Sequence, residues 1–366
     1  MKVRYSYLKQ QFSNCPSLWK KLKLFVGTGD FTLGKELKVF ESKFAKLIGS
    51  KYAVGVNSGT DALKLSLKAA NIKPGDEVIT AANTFVATVG AINELGAKIV
   101  FVDCDDTFCI DANKIEEKIT KKTKAIVPVH FTGYMPNMKK ITQISKKYKI
   151  KIIEDACQSI LGSYNKKNAG TWGFSGAFSL HPLKNINVWS DGGVITTNDK
   201  KTFNKICLLR NHGLKDRDHM DIFGYNSRLD TFQAVVGNWI LPKAKKISDQ
   251  RIKNASYLDA GLRKIKGITI PERKKNIRIV YHLYILFASQ RDALLKYCIK
   301  KGIEAKIHYP IPAYKQKPFS KLKFKKNSFP TTDAHVKKII SFPCDQHLNK
   351  KQLDYIIYTV RKFYEG

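Results

Sequence analysis

The sequence predicts an α/β protein: a large, mostly parallel sheet with helices on both faces, followed by a smaller C-terminal α+β domain. Three observations carry this. Between about residues 50 and 200, short apolar runs alternate with amphipathic stretches. The apolar runs are nearly continuous, as strands buried on both faces are. At 366 residues the chain also exceeds the ~250–300 residues at which a single core stops growing. The division expected is 1–245 for the large domain and 246–366 for the small one.

The expected strands are Tyr52–Val56, Glu77–Thr80, Ala97–Val102, Ala125–Val129 and Lys151–Glu154. Helical spacing lies between them, as in Asp61–Leu67 and Met138–Ile144. Parallel neighbours need long crossovers, and these gaps supply them. Two further strands, Gly176–Leu180 and Gly193–Thr197, lie too close together for a helical crossover, so at least one antiparallel pairing is expected. A helical pattern from Arg228 to Leu262, interrupted near Pro242, bridges the two domains. Beyond it, the strand-like Tyr281–Phe287, a helix near Arg291–Lys301, the strand-like Ile303–His308 and a final helix near Lys350–Tyr364 make up the small domain. The lysine-rich stretch Tyr314–Lys326 reads as an exposed loop.

Composition excludes several classes. With 43% hydrophobic and 11% aromatic residues, the chain can offset its conformational entropy, so it is not disordered. No run approaches the ~18 apolar residues of a membrane span, and Met1–Tyr7 lacks a signal core; a cytoplasmic protein without membrane contact is expected. The cysteines at 15, 104, 109, 157, 207, 298 and 344 are odd in number and scattered, so free thiols are expected and no metal site. The net charge is +35, from 65 Lys+Arg against 30 Asp+Glu. Only ten of the cations are Arg, leaving 55 Lys spread along the chain. Proteins that read base edges favour Arg forks on a recognition helix, and no helix-turn-helix with convergent Arg is visible. No nucleic-acid partner is expected, although a DNA-binding regulator is the alternative from another class. A solvated lysine coat and a field that attracts anionic small molecules are the other readings of the charge.

Four segments could carry chemistry. Asn57-Ser58-Gly59-Thr60-Asp61 follows a strand and opens a helix; free backbone N–H groups and the helix dipole there suit an anion, with a plain N-cap by Ser58 or Thr60 as the alternative. Glu154-Asp155-Ala156-Cys157-Gln158 puts carboxylates at the carboxyl end of a central strand, the edge that faces the ligand crevice in open α/β sheets. Asp155 there suits a cationic partner, or caps the next helix. In Phe178-Ser179-Leu180-His181-Pro182-Leu183-Lys184-Asn185, Lys184 follows an apolar strand and precedes Asp191-Gly192-Gly193; a desolvated lysine can condense with a carbonyl compound. His181 has no partner at metal-ligand spacing. Gly224-Tyr225-Asn226-Ser227-Arg228 opens the long helical pattern. Together these are the parts that pyridoxal phosphate needs: a phosphate cradle at Gly59, Thr60 and Ser179, a lysine for its aldehyde and a carboxylate for its pyridine nitrogen. Phe85, at the end of another strand, offers an aromatic face or is a core residue.

The chain resembles the DegT/DnrJ/EryC1/StrS family of pyridoxal-phosphate-dependent sugar aminotransferases from about Tyr7 to its end. The segments that carry the resemblance include Gly34–Glu41, Ser58–Leu63, Thr84–Thr88, Glu154–Gln158, Arg210–Gly213 and Ile307–Pro310. It implies the fold type I aminotransferase architecture and pyridoxal 5′-phosphate as cofactor. It further implies that Lys184 bonds the cofactor aldehyde and acts as acid and base, that Asp155 faces the pyridine nitrogen, and that Gln158 lies by the ring. Phe85 falls where the family stacks an aromatic, and Gly59, Thr60 and Ser179 on phosphate-binding positions. Asn226 matches a residue that reaches the neighbouring subunit's phosphate, which implies a homodimer with shared sites. The implied reaction moves an amino group from L-glutamate to a ketosugar. The run Asn226–Ala234 resembles members that aminate a 3-keto nucleotide sugar; a 4-keto nucleotide sugar, a non-nucleotide ketosugar and a catalytically silent scaffold are the alternatives. Related dehydrases carry His in place of the lysine, so Lys184 points to transamination. Two positions depart from the family pattern: Leu183 stands where a small residue is common, and Ser190 where Gly is usual, in a turn suited to positive φ.

Overall fold

The computed structural model describes residues Met1–Gly366. Its strands are β1 (Tyr52–Val56), β2 (Glu77–Ala81), β3 (Lys98–Val102), β4 (Thr123–Val127), β5 (Lys151–Asp155), β6 (Ser163–Tyr164), β7 (Lys167–Asn168), β8 (Ser175–Ser179), β9 (Gly193–Thr197), β10 (Ile268–Thr269), β11 (Ile277–Arg278), β12 (Tyr284–Ala288) and β13 (Ile339–Phe342). The α-helices are α1 (Leu8–Phe12), α2 (Pro16–Val26), α3 (Lys35–Ile48), α4 (Gly59–Ala69), α5 (Val86–Asn93), α6 (Met138–Tyr148), α7 (Lys200–Leu209), α8 (Thr231–Ile240), α9 (Ala244–Leu262), α10 (Arg291–Lys300), α11 (Pro330–Lys338) and α12 (Lys350–Glu365).

The large sheet has the order β1-β9-β8-β5-β4-β2-β3. Every pairing in it is parallel except those of β9, which runs antiparallel to both β1 and β8. The reason is the one read from the sequence: residues 180–192 hold no helix, so the chain turns back on itself. The inner strands β2 and β8 are buried along their whole length, as strands covered on both faces are. A smaller sheet, β10-β12-β13, is antiparallel, and β11-β6-β7 forms a third. One hydrophobic cluster runs from Phe40 and Ile79 beside the large sheet to Leu286 and Ile340 of the small one, so the two share a core. No helix is long and apolar enough to cross a membrane. All seven cysteines are free, and five of them are buried.

The structure shifts several expectations. The fourth strand lies at Thr123–Val127, two residues before its expected place. Ile303–His308 is not a strand; it makes only isolated bridges, Val3 with Ile303 and Lys306 with Ser341. The long helical pattern is two helices, α8 and α9, joined by a 3₁₀ turn at Leu241–Lys243 that contains Pro242. The expected boundary at 245/246 falls in the first turn of α9. Tyr314–Lys326 is exposed along its lysines, but Tyr314 is buried among Phe101, Phe324 and Phe329. The positive φ near Ser190 belongs to its neighbour Trp189, at 74°. A bulky residue is rare in that conformation.

Candidate active site

The carboxyl ends of β1, β2, β5 and β8 all open onto one cavity of about 310 Å³. It is lined by Gly59, Thr60, Phe85, Asp155, Gln158, Ser179 and Lys184, seven of the eight residues singled out from the sequence. The eighth, Asn226, lies in a separate cavity of about 250 Å³ with Phe31, Asn57 and Arg228.

β1 delivers the chain to Ser58, whose side chain accepts the Asp61 N–H (3.1 Å) and caps α4. The cap alternative and the cradle therefore coexist: Ser58 satisfies one donor, and the first-turn N–H groups of Gly59 and Thr60 have no partner inside the helix. A Cβ on Gly59 would lie 2.7 Å from Ser179 Cβ and 3.0 Å from Cys157 Sγ, so glycine keeps the space between the α4 terminus and β8 open. Exposed hydroxyls, free N–H groups and a positive helix end fit a phosphate.

Asp155 ends β5 and is buried. No helix follows it, so the capping alternative fails. Its Oδ1 accepts the Cys157 N–H (3.2 Å), and its Oδ2 accepts the Thr88 hydroxyl (2.7 Å). Gln158 turns its Oε1 to the Thr132 N–H at 2.7 Å. Phe85 is 48% exposed although it caps the start of α5, and its ring lies 5.7 Å from that of Tyr309, leaving an aromatic face at the cavity. Lys184 sits in a short turn after β8, its backbone N–H bonded to His181 O (2.8 Å). Burial pulls its amine below the ordinary lysine value, against an opposing pull from Cys157 and Asp155. A neutral amine is a nucleophile and a base.

Other residues of the lining were not assigned from the sequence. Tyr5, His282, Lys306, His308 and Tyr309 line it. Burial, reinforced by Lys306 and Lys184, pushes His308 down to about 4, and His308 Nδ1 meets Ser341 Oγ at 2.9 Å. Burial pushes His282 well below its usual value, with Lys184, Arg251, His308 and His181 adding to the effect. Burial likewise raises the Tyr309 hydroxyl. Neutral imidazoles and phenols both donate and accept hydrogen bonds, which suits a polyhydroxylated substrate. His308 and Tyr309 stood in the segment Ile307–Pro310, but nothing in its periodicity marked a site. Thr88 was equally silent, apart from its place four residues after Thr84. Leu183, 48% exposed beside Lys184, borders the cavity.

The model of the DegT/DnrJ/EryC1/StrS aminotransferase family matches residues 18–361. The chain belongs to that family. Its cofactor is accordingly pyridoxal 5′-phosphate, and the cradle, lysine and buried carboxylate just described fit that group. The chain is 36% identical to the pleiotropic regulatory protein of Geobacillus stearothermophilus, over 100% of this chain and 99% of that one. It is 37% identical to the dTDP-3-amino-3,6-dideoxy-alpha-D-galactopyranose transaminase of Aneurinibacillus thermoaerophilus, over 92% of each. It is 36% identical to the UDP-N-acetyl-3-dehydro-alpha-D-glucosamine 3-aminotransferase of Acidithiobacillus ferrooxidans, over 92% of this chain and 90% of that one. The crystal structure of DesV from S. venezuelae with a ketimine intermediate superposes with a TM-score of 0.97 at 30% identity, over 100% of this chain and 99% of DesV. This DegT/DnrJ/EryC1/StrS aminotransferase thus has the fold type I architecture expected of it.

Proposed function

We propose that the enzyme moves an amino group from L-glutamate to the 3-keto carbon of a nucleotide-linked sugar, in the formation of an amino sugar. The observation that carries this is the single cavity that gathers Lys184, Asp155 and the α4 terminus together with the hydrogen-bonding rings of His282, His308 and Tyr309. The choice of carbon 3 is supported by the names of the transaminase relatives, which refer to 3-amino and 3-dehydro sugars.

When bound, pyridoxal phosphate supplies an electrophilic aldehyde and a ring that takes up the electron pair released at the donor α-carbon. The residues of this chain do the rest. Gly59, Thr60 and Ser179 would hold the cofactor's phosphate, Phe85 would cover a ring face and Gln158 would lie beside the ring. Asp155 would face the pyridine nitrogen and stabilise the charge developing in the ring. Lys184 would bond the aldehyde, and its Nζ, when free, would serve as base at the donor α-carbon and as acid at the sugar carbon.

Asn226 completes the phosphate site of a second subunit in this reading, and the enzyme is a homodimer. Supporting it is a run of partly exposed rings, Trp19, Phe232 and Phe31, joined through Trp189 and Phe25, of which Phe31 lines the cavity that holds Asn226. The seven free thiols suit a reducing compartment, and we assign the enzyme to the cytoplasm. The deciding experiment incubates the aminated form of the enzyme with 3-keto and 4-keto nucleotide sugars and reads the aminated carbon by NMR. Turnover of the 4-keto sugars alone overturns the assignment to carbon 3; turnover of neither class overturns the substrate.

A further inference from the structure

Asp155 is held by an oriented hydroxyl relay. Thr84 Oγ1 and Thr88 Oγ1 are 2.7 Å apart, and Thr88 Oγ1 is 2.7 Å from Asp155 Oδ2. All three side chains are buried. A carboxylate can only accept, so the single hydroxyl hydrogen of Thr88 goes to Asp155. Thr88 must then accept from Thr84, which fixes the direction of the chain: Thr84 to Thr88 to Asp155. A threonine inside a helix ordinarily bonds back to the carbonyl four residues earlier. Here that hydrogen serves a residue 67 positions away in sequence.

The same helical turn carries the aromatic ring. Phe85 caps α5, and the Thr88 N–H donates to Phe85 O at 3.1 Å. The residue that would cover the cofactor face and the residue that orients the carboxylate therefore share one rigid turn. Asp155 receives the Cys157 N–H on one oxygen and Thr88 on the other, which leaves its carboxylate plane no freedom to rotate.

We propose that Thr88, backed by Thr84, is a positioning residue that aims the Asp155 carboxylate at the pyridine nitrogen. The proposal rests on the assignment of Asp155 to that nitrogen. Two donors fix the plane of the carboxylate, and hydrogen bonds to a charged group are among the stronger ones. The partner at the second oxygen is a hydroxyl of fixed direction rather than a mobile water.

The test compares Thr88→Val, which keeps shape and removes the donor, with Thr88→Ser, which restores it, and with Thr84→Val. Cofactor affinity is measured by titrating the cofactor-free protein with pyridoxal phosphate and following tryptophan fluorescence; the absorption band of the bound form and the kinetics of the glutamate half-reaction are read alongside. Thr88→Val is expected to weaken cofactor binding about tenfold, to shift the band and to lower kcat while the KM for glutamate holds. Thr88→Ser is expected to recover all three, and Thr84→Val to show a smaller loss of the same kind. Wild-type affinity and band in Thr88→Val overturn the relay, as does a Thr88→Ser protein as defective as Thr88→Val. If Thr88→Val does not fold, Thr88→Ser and Thr84→Val decide alone: wild-type behaviour in Thr84→Val together with a defect in Thr88→Ser overturns it. Asp155→Asn separates the two levels. If it binds cofactor as the wild type does, the assignment of Asp155 fails; if it is defective and Thr88→Val is not, only the relay fails.

Discussion

His130 Nε2 meets Glu154 Oε2 at 2.9 Å with both side chains fully buried. Glu154 also accepts the backbone N–H groups of Gly170, Trp172 and Gly173. The residue immediately before Asp155 is thus a clamp that ties β5 to the loop ahead of β8 and to the segment after β4. Removing one partner of a buried pair costs about 3–5 kcal/mol, because the other is stranded. Glu154→Ala is expected to lose stability on that scale in urea denaturation. His130→Ala is expected to lose less, since three backbone donors still satisfy Glu154.

Lys184 links the site to stability. Its amine is lowered by burial, so between the lowered value and the ordinary lysine value the unfolded chain binds more protons than the folded one. Stability of the cofactor-free protein must then rise with pH across that window and be lost as pH falls through it. Thermal melts of cofactor-free Lys184→Met are expected to lie above those of the wild type at neutral pH and to lack this slope. A variant that melts below the wild type contradicts the buried amine. In the loaded enzyme, Lys184→Ala is expected to abolish the borohydride-reducible link to the cofactor.

His308 acts at the acid end. It falls from an ordinary 6.5 to about 4 in the folded chain, so the folded state resists protonation in that interval. Stability is expected to drop as pH falls from 6.5 towards 4, with His282 adding in the same direction. His308→Gln is expected to flatten part of that decline in melts taken across the interval; an unchanged profile shows that His308 is not held neutral.

The space at Gly59 is a sharp constraint. Alanine there would force Cβ against Ser179 and Cys157, and overpacking of this kind costs ~1–3 kcal/mol. Gly59→Ala is expected to lower the melting temperature of the cofactor-free protein and to weaken pyridoxal phosphate binding, measured by fluorescence titration.

The +35 charge predicts a kinetic signature. If the field draws an anionic nucleotide sugar to the cavity, raising salt is expected to lower kcat/KM for the sugar while leaving kcat unchanged. A parallel fall in both would place the salt effect on the chemistry instead.

Much of this site was legible in the sequence because its parts lie at strand ends. Asp155 ends an apolar run, Gly59 follows one, and Lys184 sits between a strand and a double glycine, so local pattern marked them as candidates, and their order and the family resemblance joined them into one site. Thr88 was not legible: its partner is on another strand, and only the sheet order sets β5 near the turn after β2. Other parts of the lining were hidden for a similar reason. His308 and Tyr309 lie in a segment of irregular backbone, which periodicity cannot register. Tyr5 is brought to the site by the bridge of Val3 with Ile303 and by its own N–H bonded to Glu304 Oε2. The expectation of a strand at Ile303–His308 failed on the same point, since that segment finds one-residue bridges in place of a continuous neighbour.

The bridge between Val3 and Ile303, with hydrogen bonds Val3 N to Gly302 O and Glu304 N to Val3 O, both 2.9 Å, ties together stretches far apart in the chain, and Tyr5 N–H adds a bond to Glu304 Oε2 across 299 positions. Closing so long a loop is entropically costly. The part of the cavity wall that Tyr5 supplies is therefore expected to settle late in refolding, after the strands that carry Asp155 and Ser179 have paired.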